Sequence, residues 1–240
     1  MRKQGILFLL LCGCASAWHA PADFIYAPFV SGDYTLATYQ RLSDTTSPIH
    51  IYIEGDGNSF DARGIPTSDP TPNGTLVRDM AARDASPNVA YIARPCQYIM
   101  SPTCSRTDWT DGRFSERIVD SISGAIQTIA QNRPVVLIGY SGGAMISGLV
   151  INRAPELNVT KWVTVAGVLN HTDWTSYFGD APLSKSLDMS SLPTVPQTHY
   201  IIDGDRVVPN RLSRKWVDES KLAVIQNAKH DKIPEIELSF

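Results

Sequence analysis

Residues 134–150 read PVVLIGYSGGAMISGLV, and no other stretch limits the fold as tightly. Val135 to Ile138 is an apolar run too short for a helix and β-branched enough for a buried parallel strand. It turns through Gly139-Tyr140-Ser141-Gly142-Gly143 into an apolar, small-residue helix, Ala144 to Val150. A Gly-x-Ser-x-Gly turn between strand and helix is the nucleophile-elbow pattern. Its serine sits on a sharp, strained turn, and its glycines let strand and helix approach. Five residues of pattern carry little by themselves; the flanking strand and helix make Ser141 the candidate nucleophile.

A serine hydroxyl is a weak nucleophile at neutral pH, so Ser141 needs a base, and the base needs an orienting carboxylate. In elbow enzymes the chain order is serine, acid, histidine. Of the five histidines, His19 is close to the expected mature start and His50 lies inside a strand ahead of the elbow. His171 precedes the preferred acid, and His199 opens a strand. His230 alone follows both Ser141 and Asp205, just after the last strand. Asp205 begins Asp-Arg-Val-Val-Pro directly after a strand and a glycine. Asp203, and Asp173 after the preceding strand, remain its rivals. Acyl transfer also needs donors for the oxyanion. The backbone amide of Gly142 is one candidate. The amide of Asp56, in Glu54-Gly55-Asp56-Gly57 after the strand Ile49–Ile53, is the other, with its carboxylate expected to point away.

The remaining elements alternate. Two short extended stretches, Phe24–Tyr26 and Tyr34–Tyr39, read as an antiparallel hairpin about Ser31-Gly32-Asp33. Helical spacing follows over Thr75–Asp84, a strand over Asn88–Ala93, and the best helix over Phe114–Ala130, with Ile118, Ile122, Ile126 and Ile129 on one face. Trp162–Ala166, His199–Ile202 and Leu222–Ile225 are strands, with a helix over Asn210–Ser220. The fold class expected is α/β: a mostly parallel, doubly wound sheet, antiparallel N-terminal strands, and a small insertion (residues 171–196) after the strand ending near Ala166. In such sheets the site lies beyond the carboxyl ends of the strands. Trp109 and Trp174, with Tyr177 and Phe178, are loop aromatics expected to wall an apolar acyl pocket.

Arg2 and Lys3, the apolar run Ile6–Leu11 and small residues to Ala17 read as a secretory signal over residues 1–17, leaving 18–240 as one domain. Leu11-Cys12-Gly13-Cys14 resembles a bacterial lipobox, and Ala15-Ser16-Ala17 an ordinary cleavage site before Trp18. The lipobox, with Cys14 lipidated, is preferred because its cysteine directly follows the apolar core. Cys96 and Cys104 then remain, and an oxidising compartment favours a disulfide over two free thiols. No Cys or His stands at metal-ligand spacing, so neither metal nor cofactor is expected. A net charge of -3, or -5 without Arg2 and Lys3, and no block of like charge argue against nucleic acid as a partner.

From Ile49 to His230 the chain resembles the α/β-hydrolase superfamily, and more narrowly small bacterial cell-envelope serine hydrolases of unassigned substrate. The likeness rests on Glu54-Gly55-Asp56-Gly57, Asp69-Pro70-Thr71-Pro72, Arg94-Pro95-Cys96-Gln97-Tyr98, Cys104 with Trp109-Thr110, Arg113-Phe114-Ser115, and the elbow. It implies a Ser141-Asp205-His230 triad and a disulfide near the pocket rim but supplies no substrate; the triad chemistry itself points to a small-molecule acyl ester as partner. Few residues follow His230, so the helix usual there is expected to be short or missing. The leading expectation is hydrolysis of carboxylic esters or thioesters. An amidase or peptidase on the same triad, or a non-catalytic envelope binding protein on this scaffold, are the alternatives.

Overall fold

The computed structural model describes residues 18–240. The expected signal segment, and with it Cys14, lies outside them. In chain order the strands are β1 (Ile25–Tyr26), β2 (Phe29–Ser31), β3 (Tyr34–Leu36), β4 (Thr38–Leu42), β5 (Ile49–Ile53), β6 (Asn88–Ile92), β7 (Val135–Tyr140), β8 (Val159–Val165), β9 (Gln197–Ile202) and β10 (Leu222–Ile225). The helices are α1 (Leu76–Arg83), α2 (Glu116–Ala130), α3 (Gly142–Arg153), α4 (His171–Phe178) and α5 (Asn210–Trp216). Eight strands form one sheet in the order β1-β4-β6-β5-β7-β8-β9-β10. From β6 to β10 all neighbours are parallel, and β1 and β4 are antiparallel at one edge.

The expected hairpin is corrected in its pairing. Phe29–Ser31 and Tyr34–Leu36 pair with each other as a separate ribbon, turning at Gly32 with φ +58°. Ile25 and Tyr26 pair with Gln40 and Tyr39 on the main sheet. The ribbon leaves the sheet because it docks on α2: the Ser31 hydroxyl donates to the Ser121 carbonyl at 2.6 Å and Ser121 returns the bond at 2.8 Å.

β5 and β7 are mostly apolar and buried on both faces, as central parallel strands are, with only His50 and Tyr140 half-buried. Ile118, Ile122, Ile126 and Ile129 of α2 are all buried in the core on one side of the sheet. Each such side chain contributes about 1.5–3 kcal/mol through its burial. Val77, Met80 and Ala81 of α1 are buried in the cluster on the other side. The chain passes from β5 to β6 on one side and returns to β7 on the other. The carboxyl ends of β5 and β7 thus flank the point where strand order reverses, where α/β sheets hold their ligands. After His230 no helix forms; Ile233, Ile236 and Leu238 of the tail pack against the second cluster.

Candidate active site

β7 ends at Tyr140 and α3 begins at Gly142, so Ser141 occupies the whole turn, at φ 50° and ψ −121°. A non-glycine residue held there costs about 1–3 kcal/mol, which the packing must offset. Glycine is required around it. A Cβ on Gly139 would come within 2.5 Å of the Ala144 Cα, and one on Gly143 within 2.4 Å of the Ile53 carbonyl oxygen. The elbow helix therefore lies directly against both β7 and the end of β5.

Three residues far apart in sequence meet at this turn. Ser141 Oγ is 2.9 Å from His230 Nε2, and His230 Nδ1 is 2.8 Å from Asp205 Oδ2. Asp205 Oδ1 accepts from the amides of Val207 at 2.8 Å and Val208 at 3.1 Å. Burial pushes the Asp205 carboxyl up, but its bonds to His230 and those two amides outweigh this and hold it below its ordinary range. It therefore carries charge opposite the imidazole at neutral pH. The Tyr140 hydroxyl donates to the His230 carbonyl at 2.7 Å, fixing the short loop that carries His230. Asp203 is exposed, and Asp173 instead ties α4 to α5 by accepting from Lys215 at 2.6 Å and Trp216 at 2.8 Å.

The loop after β5 supplies the opposite wall. Gly55 packs so closely beneath the elbow that a Cβ there would lie 3.2 Å from Ser141 Cβ. The Gly55 amide donates to its neighbour Glu54 at 2.9 Å, leaving the next amide, that of Asp56, beside the elbow. Neither the Asp56 nor the Gly142 amide donates to another group among the described residues. The Asp56 carboxylate does not point away as expected. It lies against Gly142, where a Cβ would fall 2.0 Å from Asp56 Oδ1. Its charge is met by two buried guanidiniums, Arg94 at 3.0 Å and Arg113 at 2.8 Å. Burial raises this carboxyl, and the two arginines more than reverse the effect. Sequence reasoning quoted Arg94 and Arg113 but missed this clamp, which joins positions 38 and 57 residues apart.

An open cleft of about 650 Å³ covers Ser141 and His230. Trp174 lines it, its indole fixed by a 2.7 Å bond to the Val207 carbonyl. Trp109 does not, and its expected place in the pocket wall is corrected. It is 6% exposed, packs in the core, and donates to the Thr67 carbonyl at 3.2 Å. Phe60, Val168, Val207 and Val208 supply apolar wall that the sequence reading did not assign. Tyr177 and Phe178 stay exposed on α4, outside the cleft lining. Cys96 and Cys104 are disulfide-bonded, with Cα atoms 5.9 Å apart, in the loop that carries Arg94. Among the described residues no group of three or more His, Cys, Asp or Glu could hold a metal ion.

The overall architecture recurs in solved structures. An α/β serine hydrolase without a lid from Xanthomonas campestris matches with TM-score 0.55 and 14% identity, over 88% of each chain. An α/β serine hydrolase homologue from Coxiella burnetii matches with TM-score 0.57 and 15% identity, over 90% of this chain and 92% of that one. This chain has the α/β-hydrolase fold. A serine hydrolase from the polyaromatic hydrocarbon-degrading bacterium Cycloclasticus zankles is also similar. It matches with TM-score 0.57 and 10% identity, over 86% of this chain and 90% of that one. No family model and no curated protein matches the sequence.

Proposed function

We propose that the protein is a serine hydrolase that cleaves carboxylic esters or thioesters through an acyl-enzyme. The observation that carries this reading is the continuous hydrogen-bonded line from Ser141 through His230 to Asp205 at the floor of an open cleft. Ser141 Oγ attacks the acyl carbon while its proton passes to His230 Nε2. The oxyanion is received by the amides of Gly142 and Asp56 at the positive end of α3. Collapse breaks the bond to the leaving oxygen or sulfur, which takes the proton from His230. Water then repeats the sequence on the acyl-enzyme and releases the acid. Asp205 holds the imidazole and stabilises its protonated form.

The insertion between β8 and β9 holds only the short α4 and an irregular return, which favours small acyl groups over long chains sealed beneath a lid. The reading includes an envelope address carried by residues 1–17, with Cys14 as the lipid acceptor. Cys14→Ser should then lose palmitate labelling and leave the membrane fraction; a mature chain beginning at Trp18 would reject the anchor.

Labelling by a fluorophosphonate probe tests the chemistry. The wild type should take up one probe, read by intact mass, and folded Ser141→Ala none. A folded wild type that stays unlabelled would instead favour a binding protein on this scaffold.

A further inference from the structure

We propose that Arg113 is a substrate-binding residue that makes this cleft selective for esters whose acyl group carries a carboxylate. The inference rests on the hydrolase reading above and names its substrate class. Arg113 is 5% exposed yet lines the cleft. Its Nε donates to the Thr110 carbonyl at 2.7 Å and its Nη1 to Asp56 at 2.8 Å. Its Nη2 has no partner among the described residues. Unlike the sealed Arg94 Nε, Arg113 Nη2 is not among the buried polar atoms left without a partner, and Arg113 lines both this cleft and the small cavity over Arg94 and Trp109. The guanidinium carbon lies 5.3 Å from the Phe60 ring centroid and 5.8 Å from that of Trp174, both cleft walls.

The local charge points the same way. Asp56 neutralises one of the two guanidiniums that hold it, so the Arg94–Asp56–Arg113 cluster carries one positive charge. Glu54, whose charge also acts on Arg94, is pushed up by burial and thereby toward its neutral form. Asp231 and Lys232 on the far wall cancel. A single carboxylate balances that excess; a phosphate dianion would overshoot it. A fork flanked by two aromatic rings suits a planar carboxylate. Arg113 is fixed to Asp56, whose amide faces the acyl oxygen, whereas the leaving group must lie toward His230, its proton donor. The carboxylate therefore belongs to the acyl side.

The test compares three activated esters: 4-nitrophenyl butyrate, mono-4-nitrophenyl succinate, and the butyrate ester of 4-hydroxybenzoate, which has its carboxylate on the leaving group. The wild type should favour the succinate in kcat/KM by on the order of tenfold or more over the neutral ester, the worth of one charged hydrogen bond. Most of that preference should appear in KM. In Arg113→Gln the succinate-to-butyrate ratio should fall to about one, and Arg113→Lys should restore part of it. A wild-type ratio at or below one overturns the proposal, even if neither variant folds. So does an equal loss on both esters in folded variants, or a preference for the leaving-group carboxylate. Fluorophosphonate labelling separates the two readings: a labelled enzyme without anion preference fails this inference alone, and an unlabelled folded enzyme fails both.

Discussion

Gly142 shows what single atoms decide at this site. A Cβ there would lie 2.0 Å from Asp56 Oδ1, which Arg94 holds in place, so the carboxylate or the elbow must shift. Gly142→Ala should lower kcat by about 10²–10³-fold, the usual worth of one oxyanion donor, with KM little changed. Unaltered kcat in the variant would mean that the contact is relieved without displacing the elbow amide. Asp205→Asn should lower kcat by on the order of 10⁴-fold while leaving the protein folded, because the imidazole loses its orienting charge. The depressed carboxyl sets a further sign: its contribution to stability is present above the unfolded pKa of about 3.9 and lost as pH falls through the lower folded value. That Ser141, His230 and Asp205 meet was legible in the sequence because an elbow pattern and chain order are one-dimensional signals. Trp109 and Phe60 were not, since a loop aromatic's sequence position does not say whether it turns to the core or to the cleft.

At the scale of elements, apolar runs and isoleucine spacing located β5, β7, β9 and α2 to within a few residues, because each has one environment along its length. The N-terminal strands were misjoined for a physical reason. β1, β2, β3 and β4 are two to five residues each; the Ser31–Ser121 contacts dock the β2–β3 ribbon on α2 while β1 pairs with β4 on the main sheet, a division that local pattern does not show. The loop between β6 and α2 is held differently. Cys96 and Tyr98 have φ of 71° and 62°, and the disulfide closes this turn over a separation of 8 residues. Cys96→Ser with Cys104→Ser should cost about 2–3 kcal/mol by loop-closure entropy. It should also slow turnover, since Arg94 in the same loop anchors Asp56. Denaturant unfolding and ester kinetics on the double variant check both effects; unchanged stability would mean that the loop is held by its hydrogen bonds alone.

Over the whole molecule, six strands from β6 to β10 bring their carboxyl ends to one rim. Residues from after β5, β7, β9 and β10 meet there because the sheet order reverses between β5 and β7. The same core contains a titratable group remote from the chemistry. His199 is fully buried between Thr164 at 2.8 Å and Gln197 at 2.9 Å, and burial lowers its pKa from 6.5 to about 4. Below the unfolded pKa the unfolded chain gains a proton that the native state refuses. Stability should therefore fall by about 2–4 kcal/mol as pH drops from 6.5 to 4, and no further from this group below that. His199→Gln should flatten that part of the stability profile; an unchanged slope would assign it to other groups.

The central claim is that Ser141, His230 and Asp205 act as one chemical unit, and a mutant cycle on ester hydrolysis tests it most directly. Ser141→Ala and His230→Ala should each lower kcat by about 10⁴–10⁶-fold, because either change disables the same attack on the acyl carbon. Their combination should be no more than a few-fold slower than the worse single variant. Losses that multiply in the double variant, or turnover retained in Ser141→Ala, would contradict the account.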